Sequence, residues 1–140
     1  MVAIARPVLR RAEREKERFM APVARLHEQM RAGNDAAIFD AADPIYRRSV
    51  MREVSNRTFD QVRASLGEPL ATTLDGGYEL PSIGSGKVYR MNILTTFTKG
   101  SSVEQITVHY DESTDCFRML GYEVTSSNLP RGHFKVFGIP

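Results

Sequence analysis

At 140 residues the chain is one domain's worth of polypeptide, since domains run ~100–150 residues, and at that size a core forms without metal or disulfide staples. A 41% hydrophobic, 26% charged composition with 10 Gly and 7 Pro is globular rather than disordered or fibrous. A net charge of +2 is too small to suggest nucleic acid, no apolar run reaches the ~18 residues of a membrane span, and the single cysteine, Cys116, excludes an internal disulfide and a cysteine-rich zinc site.

Residues 1–7 do not read as a signal peptide, because the apolar run after Met1, Val2 to Ala5, is four residues long against ~7–15 for such a segment. Val8, Ala12, Phe19, Val23, Leu26 and Met30 recur at helical steps and predict one stripe along a helix. Pro22 removes a helical hydrogen bond, so either a kinked helix or two abutting helices is expected, stopping at Gly33. With eight basic against four acidic side chains, residues 1–31 carry +4 and the remainder −2. The two signs interleave from Arg10 to Arg18, which reads as a solvated helix face. A contact with acidic headgroups or an acidic partner is the competing reading.

Asn34 is placed to cap a short helix through Ile38 and Phe39, ending near Ala42. Asp43-Pro44 reads as N-cap and first helical residue of the next, with Tyr46 and Val50 behind it. Ser55 or Asn56 would cap a last helix carrying Phe59, Val62 and Leu66, closed by Gly67.

After Pro69 the period changes to two. Leu70–Leu74 reads as a short strand, and Gly76-Gly77 and Gly84-Ser-Gly86 as turns. Tyr89, Met91, Ile93, Thr95 and Phe97 share one strand face; Glu104, Ile106, Val108 and Tyr110 share another. A tight turn at Lys99-Gly100 would pair Thr98 with Ser101, Ile93 with Ile106, Tyr89 with Tyr110, Arg90 with His109 and Thr95 with Glu104. Cys116 to Thr125 adds a strand with Leu120, Tyr122 and Val124 on the same face; 126–132 reads as loop, and Phe134 with Val136 as a terminal edge strand. The expected fold class is α+β in a single domain: N-terminal helices packed on one face of a curved antiparallel sheet of about four strands. Within it, 1–18 is a charged helical extension, 19–67 the helical half, 68–125 the meander and 126–140 a tail.

The Leu66-Gly67 helix end, the glycine-led strand Gly86-Lys-Val-Tyr-Arg-Met, the strand Val103-Glu-Gln-Ile-Thr-Val and the closing Leu120-Gly-Tyr-Glu-Val124 together carry a resemblance. Over residues 20–125 the chain resembles small bacterial domains of unknown function in the cystatin-like, or nuclear transport factor 2-like, superfamily. Phe117 stands where such domains often carry tryptophan. The resemblance implies a location in the bacterial cell envelope, if a signal or anchor has been removed, or else in the cytoplasm. It implies no single activity, because the superfamily hosts enzymes, assembly parts and binding modules alike.

The chemistry-bearing residues are scattered. His27, His109 and His133 form no metal-ligand spacing, so no metal site and no cofactor are expected. No histidine or helix N-terminus stands beside Cys116 in the sequence to activate it as a nucleophile. Gly84-Ser-Gly86-Lys87 lacks the spacing and the following helix of a phosphate loop. Enzymes of this superfamily work in a cone between helices and sheet, which makes Asp43, Tyr46 and Tyr122 the catalytic candidates. Tyr89, Tyr110 and Tyr122 are the candidates for holding an apolar ligand in that cone. Arg90, Asn92, Leu94, His109, Phe117 and Met119 are expected on the outer sheet face, an apolar and polar mixture that suits a protein contact. The leading expectation is a non-catalytic binding or assembly module, with a homodimer through the open sheet face as one form of it. The alternative is a small cofactor-free enzyme or carrier for an apolar molecule.

Overall fold

A positive φ at Gly33 (67°) and at Gly67 (80°) ends the first and last of four consecutive helices, a conformation that costs glycine little. In the computed structural model the described residues are 2–83 and 86–138, with side chains described for 17–81 and 86–138. Helix α1 (Val2–Arg31) runs through Pro22 as one helix, so of the two expected alternatives the pair of abutting helices is not formed. Of its predicted stripe, Val23, Leu26 and Met30 are buried and Phe19 packs at the core's margin; the side chains of Val8 and Ala12 lie outside the described residues.

Helix α2 (Asp35–Ala41) starts where Asn34 Oδ1 accepts the Ala37 N–H, and α3 (Pro44–Ser49) where Asp43 Oδ1 accepts the Ile45 N–H. Helix α4 (Arg52–Leu66) begins earlier than expected. Its N-cap, Met51, makes no side-chain bond. Ser55 is instead an interior residue whose hydroxyl is bonded to the buried Tyr46 hydroxyl at 2.8 Å. Phe59, Val62 and Leu66 are fully buried along this helix, each worth ~1.5–3 kcal/mol of transfer free energy.

Five strands follow: β1 (Pro69–Ile83), β2 (Gly86–Phe97), β3 (Gly100–Asp111), β4 (Cys116–Thr125) and β5 (His133–Phe137). They form one antiparallel sheet in sequence order. The molecule is therefore α+β with five strands rather than about four; the edge at Phe134 and Val136 supplies the fifth. β1 is three times the expected length. It passes through Gly76-Gly77 as a register shift between Leu74 and Gly77, not as a turn. The expected turn at Gly84-Ser-Gly86 lies partly outside the described residues.

Two differences of register decide where side chains point. First, the β2–β3 turn is Thr98-Lys99, with Phe97 opposite Gly100, so Ile93 pairs with Glu104, Met91 with Ile106 and Tyr89 with Val108. The ladder is displaced by two residues from the expected one. A slip of two preserves faces, and the apolar set stays on the core side. Second, the β3–β4 ladder passes from Thr107↔Gly121 to Val108↔Met119, which leaves Leu120 as an extra residue. A single-residue bulge inverts the alternation beyond it. Met119 and Phe117 thereby turn toward the helical side, in or against the main core, while Leu120 joins Ile45 and Val88 in a separate cluster.

That second cluster shows that helix contacts are not confined to one sheet face. β5 ends at Phe137, so the first half of β4 has no strand paired to it on that side. There the Asp43 N–H donates to the Met119 carbonyl (2.8 Å). Asp43 and Ile45 then reach His109, Val88 and Leu120, of which Val88 and His109 alternate away from Tyr89 and Val108.

Candidate functional site

The described residues hold three groupings of polar or aromatic side chains, and the sequence candidates are divided among them.

The most buried centres on Glu104, in the middle strand. It shares the core face with Ile106 and Val108, opposite Ile93 rather than the expected Thr95, and its exposure is 0%. His27 Nε2, from α1, lies 2.7 Å from Oε1. The Thr95 hydroxyl donates to the same oxygen at 2.5 Å, and the Tyr122 hydroxyl donates to Oε2. His27 is 3% exposed, Thr95 2% and Tyr122 1%, so solvent and substrate are both kept out. Burial, and then the neighbouring Glu104 charge, push the Tyr122 phenol well above its ordinary range. A carboxylate held by three partners in this way is a structural tie between α1, β2, β3 and β4. Tyr122 belongs to it and not to a ligand pocket. The place of Glu104 on one strand face with Ile106 and Val108 is the sequence signal for this burial.

The second grouping joins Asp43 with His109. His109 Nδ1 is 2.7 Å from Asp43 Oδ2, and the side chains are 13% and 4% exposed. Asp43 Oδ1 is occupied by its capping bond. Among the described residues His109 Nε2 is buried with no hydrogen-bond partner. It sits under the start of β2, so closely that a Cβ added to Gly86 would stand 2.2 Å from it. A carboxylate fixing one imidazole nitrogen leaves the other available as a base, but here the backbone closes over that nitrogen. Tyr46, the other catalytic candidate, points elsewhere. It is 0% exposed and bonded to Ser55, and burial pushes its phenol up to about 12, against a smaller downward pull from that bond. Asp43, Tyr46 and Tyr122 therefore stand in three different surroundings.

The third grouping is open. Phe19 of α1, Tyr89, Tyr110 and Phe117 form an aromatic cluster with centroid separations of 4.8 to 6.1 Å. Two adjoining cavities of about 330 and 340 Å³ share Phe19 and Tyr89; the first extends over Leu74 and Gly77, the second over Lys87, Tyr110 and Phe117. The Arg18 guanidinium lies 5.5 Å from the Tyr110 ring centre and 5.4 Å from that of Phe117, and pairs with Asp115 at 2.5 Å. The Tyr110 hydroxyl also donates to Asp115. That bond raises the Tyr110 pKa and lowers that of Asp115. Two of the three ligand-binding candidates, Tyr89 and Tyr110, thus come together at the mouth of the layer between α1 and the sheet, while Tyr122 is sealed inside it.

The expected outer-face set divides as well. Arg90 (bonded to Thr107), Asn92 (bonded to Gln105) and Leu94 occupy that face. His109 is held under Asp43; Phe117 and Met119 are on the helical side because of the Leu120 bulge. Val103, across the ladder from Leu94, takes their place: the pair is 43% and 42% exposed. Around it lie Ala71, Thr73, Thr96, Ser101 and Thr125, lining a shallow depression of about 440 Å³.

Among the described residues no group of three His, Cys, Asp or Glu stands together as metal ligands, and no helix is long and apolar enough to cross a membrane. No protein-family model, curated protein or solved structure matches the chain.

Proposed function

We propose that the chain is a non-catalytic binding or assembly module, with the open sheet face around Leu94 and Val103 as its contact surface. The observation that carries this reading is the exposure of two large apolar side chains, cross-strand partners, on inner strands of the sheet. Apolar groups at the middle of an open face, with polar groups toward its margin, follow the anatomy of a protein interface. The dispersal of Asp43, Tyr46 and Tyr122 supports a module that does no chemistry. The cystatin-like, or nuclear transport factor 2-like, membership belongs to the same proposal, supported by a long helix and short helices followed by an antiparallel meander.

The test is comparative capture with immobilised protein. Wild type is expected to retain a second protein or a second copy that the Leu94→Asp, Val103→Asp double variant does not. Equal capture by two equally folded proteins would remove the face from consideration.

A second reading has its own observation, the aromatic cavities at Tyr89 and Tyr110. An apolar small molecule carried there would appear as a reproducible adduct in a native mass spectrum. Tyr89→Ala would abolish that adduct, whereas Leu94→Asp would leave it.

A further inference from the structure

We infer that the occupant of the open face is a second copy of this chain, seated about a two-fold axis near Leu94 and Val103. The inference rests on the contact-surface reading above and names its partner. Three observations carry it.

The first is charge. A two-fold contact sets residues near the axis against their own copies, so any charge there meets its like. The register places Thr73, Leu94, Val103, Thr125 and, at the β5 edge, His133 in one row, with Ala71, Thr96 and Ser101 beyond it. None of the seven other than His133 is charged, and His133 stands three strands from Leu94. The charges begin on the other side of that row, with Glu123 and Lys135 beside Asn92 and Gln105, and then Arg90.

The second is the polar chemistry of the same rows. Threonine and serine hydroxyls both donate and accept, so each can pair with its own copy, which a carboxylate, ammonium or guanidinium cannot do. The Thr73, Thr96, Ser101 and Thr125 side chains are exposed and none is hydrogen-bonded to a described residue.

The third is area, which puts the contact at the small end of specific interfaces. The end of the face at Val88 and His109 is covered by Ile45 and Asp43. The uncovered rows, Arg90 to Thr96, extend about 23 Å at ~3.3 Å per residue, and five strands span about 20 Å. That is on the order of 500 Å² per chain, or about 1,000 Å² in all, against ~1,600 Å² for a standard interface. The dimer is therefore of the weak, concentration-dependent class.

Sedimentation velocity from low micromolar to several hundred micromolar tests this on the full chain. Wild type is expected to pass from monomer to dimer across that range. The Leu94→Asp, Val103→Asp variant, with four like charges at the axis, is expected to associate at least ~100-fold more weakly. Circular dichroism checks that it is folded. An independent arm uses Cys116→Ser with Val103→Cys, which should form a disulfide-linked dimer on mild oxidation, while Cys116→Ser with Asn34→Cys, exposed on the helical side, should not. A wild type that stays monomeric throughout overturns the inference. If that monomer still captures another protein through Leu94 and Val103, the contact-surface reading survives without it. A dimer indifferent to both aspartates and to cysteine placement lies on another surface and overturns the inference, while the contact-surface reading falls only with equal capture by wild type and double variant.

Discussion

Glu104 is the residue on which the polar core turns. A carboxylate taken out of water is costly, and here the cost is met by His27, Thr95 and Tyr122 together. Removing one member leaves the others desolvated and unpaired. Glu104→Ala should lower stability by ~3–5 kcal/mol, and Thr95→Val, which removes one donor, by ~1–3 kcal/mol. Urea midpoints with unchanged slopes would show both. In a double-mutant cycle, His27→Ala and Glu104→Ala should be strongly non-additive, the pair costing less than the sum; additive losses would mean that the two side chains do not share one interaction.

Tyr46 and Tyr122 extend the residue-scale argument to pH. Both phenols are raised in the fold, Tyr46 to about 12, chiefly by burial. Between the unfolded phenol pKa near ~10 and the folded values, the unfolded chain has already lost these protons and the folded chain has kept them. Stability is therefore intact below pH ~10 and falls as pH rises through the folded values. A phenolate titration at 295 nm should show Tyr46 and Tyr122 ionising last of the five tyrosines, together with loss of far-ultraviolet circular dichroism. Ionisation of all five before any unfolding would contradict the sealed environments.

Individual elements were legible in the sequence where local chemistry sets them. Asn34 and Asp43 cap as their types require, Gly33 and Gly67 stop helices, and β4 covers the expected Cys116–Thr125. What composition does not encode is how many residues one strand uses for each residue of its neighbour. Hydrophobic alternation is blind to a slip of two, which is why the β2–β3 faces came out right and their partners wrong. It is equally blind to the Leu120 bulge, which moved Phe117 and Met119 across the sheet. The bulge has a visible anchor in Gly121. A Cβ there would stand 2.2 Å from the Phe137 ring. Gly121→Ala should cost ~1–3 kcal/mol through overpacking, and much less in a Phe137→Ala background, where the ring is gone. A cost unchanged by Phe137→Ala would place the constraint in the backbone of the bulge.

At the scale of the whole molecule, both polar ties converge on one strand. His27 of α1 reaches Glu104, and Asp43 at the start of α3 reaches His109; each tie ends on β3, the middle strand of the sheet. Neither tie was legible in the sequence, because each joins residues 66 or 77 positions apart and depends on the displaced register. β1 is the opposite case. It is an edge strand with a mostly exposed surface and three register breaks, features that weaken an edge and blunt it against unwanted pairing. Local opening follows such differences. Native-state hydrogen exchange should therefore find the slowest amides in β3 between Glu104 and His109, exchanging only through global unfolding, and the fastest strand amides in β1 between Ala71 and Leu80. Glu104→Ala should speed β3 while leaving β1 nearly unchanged, since β1 already opens without it. Equal protection of β1 and β3 would mean that the sheet opens only as a unit, and that the two ties on β3 do not set its order of opening.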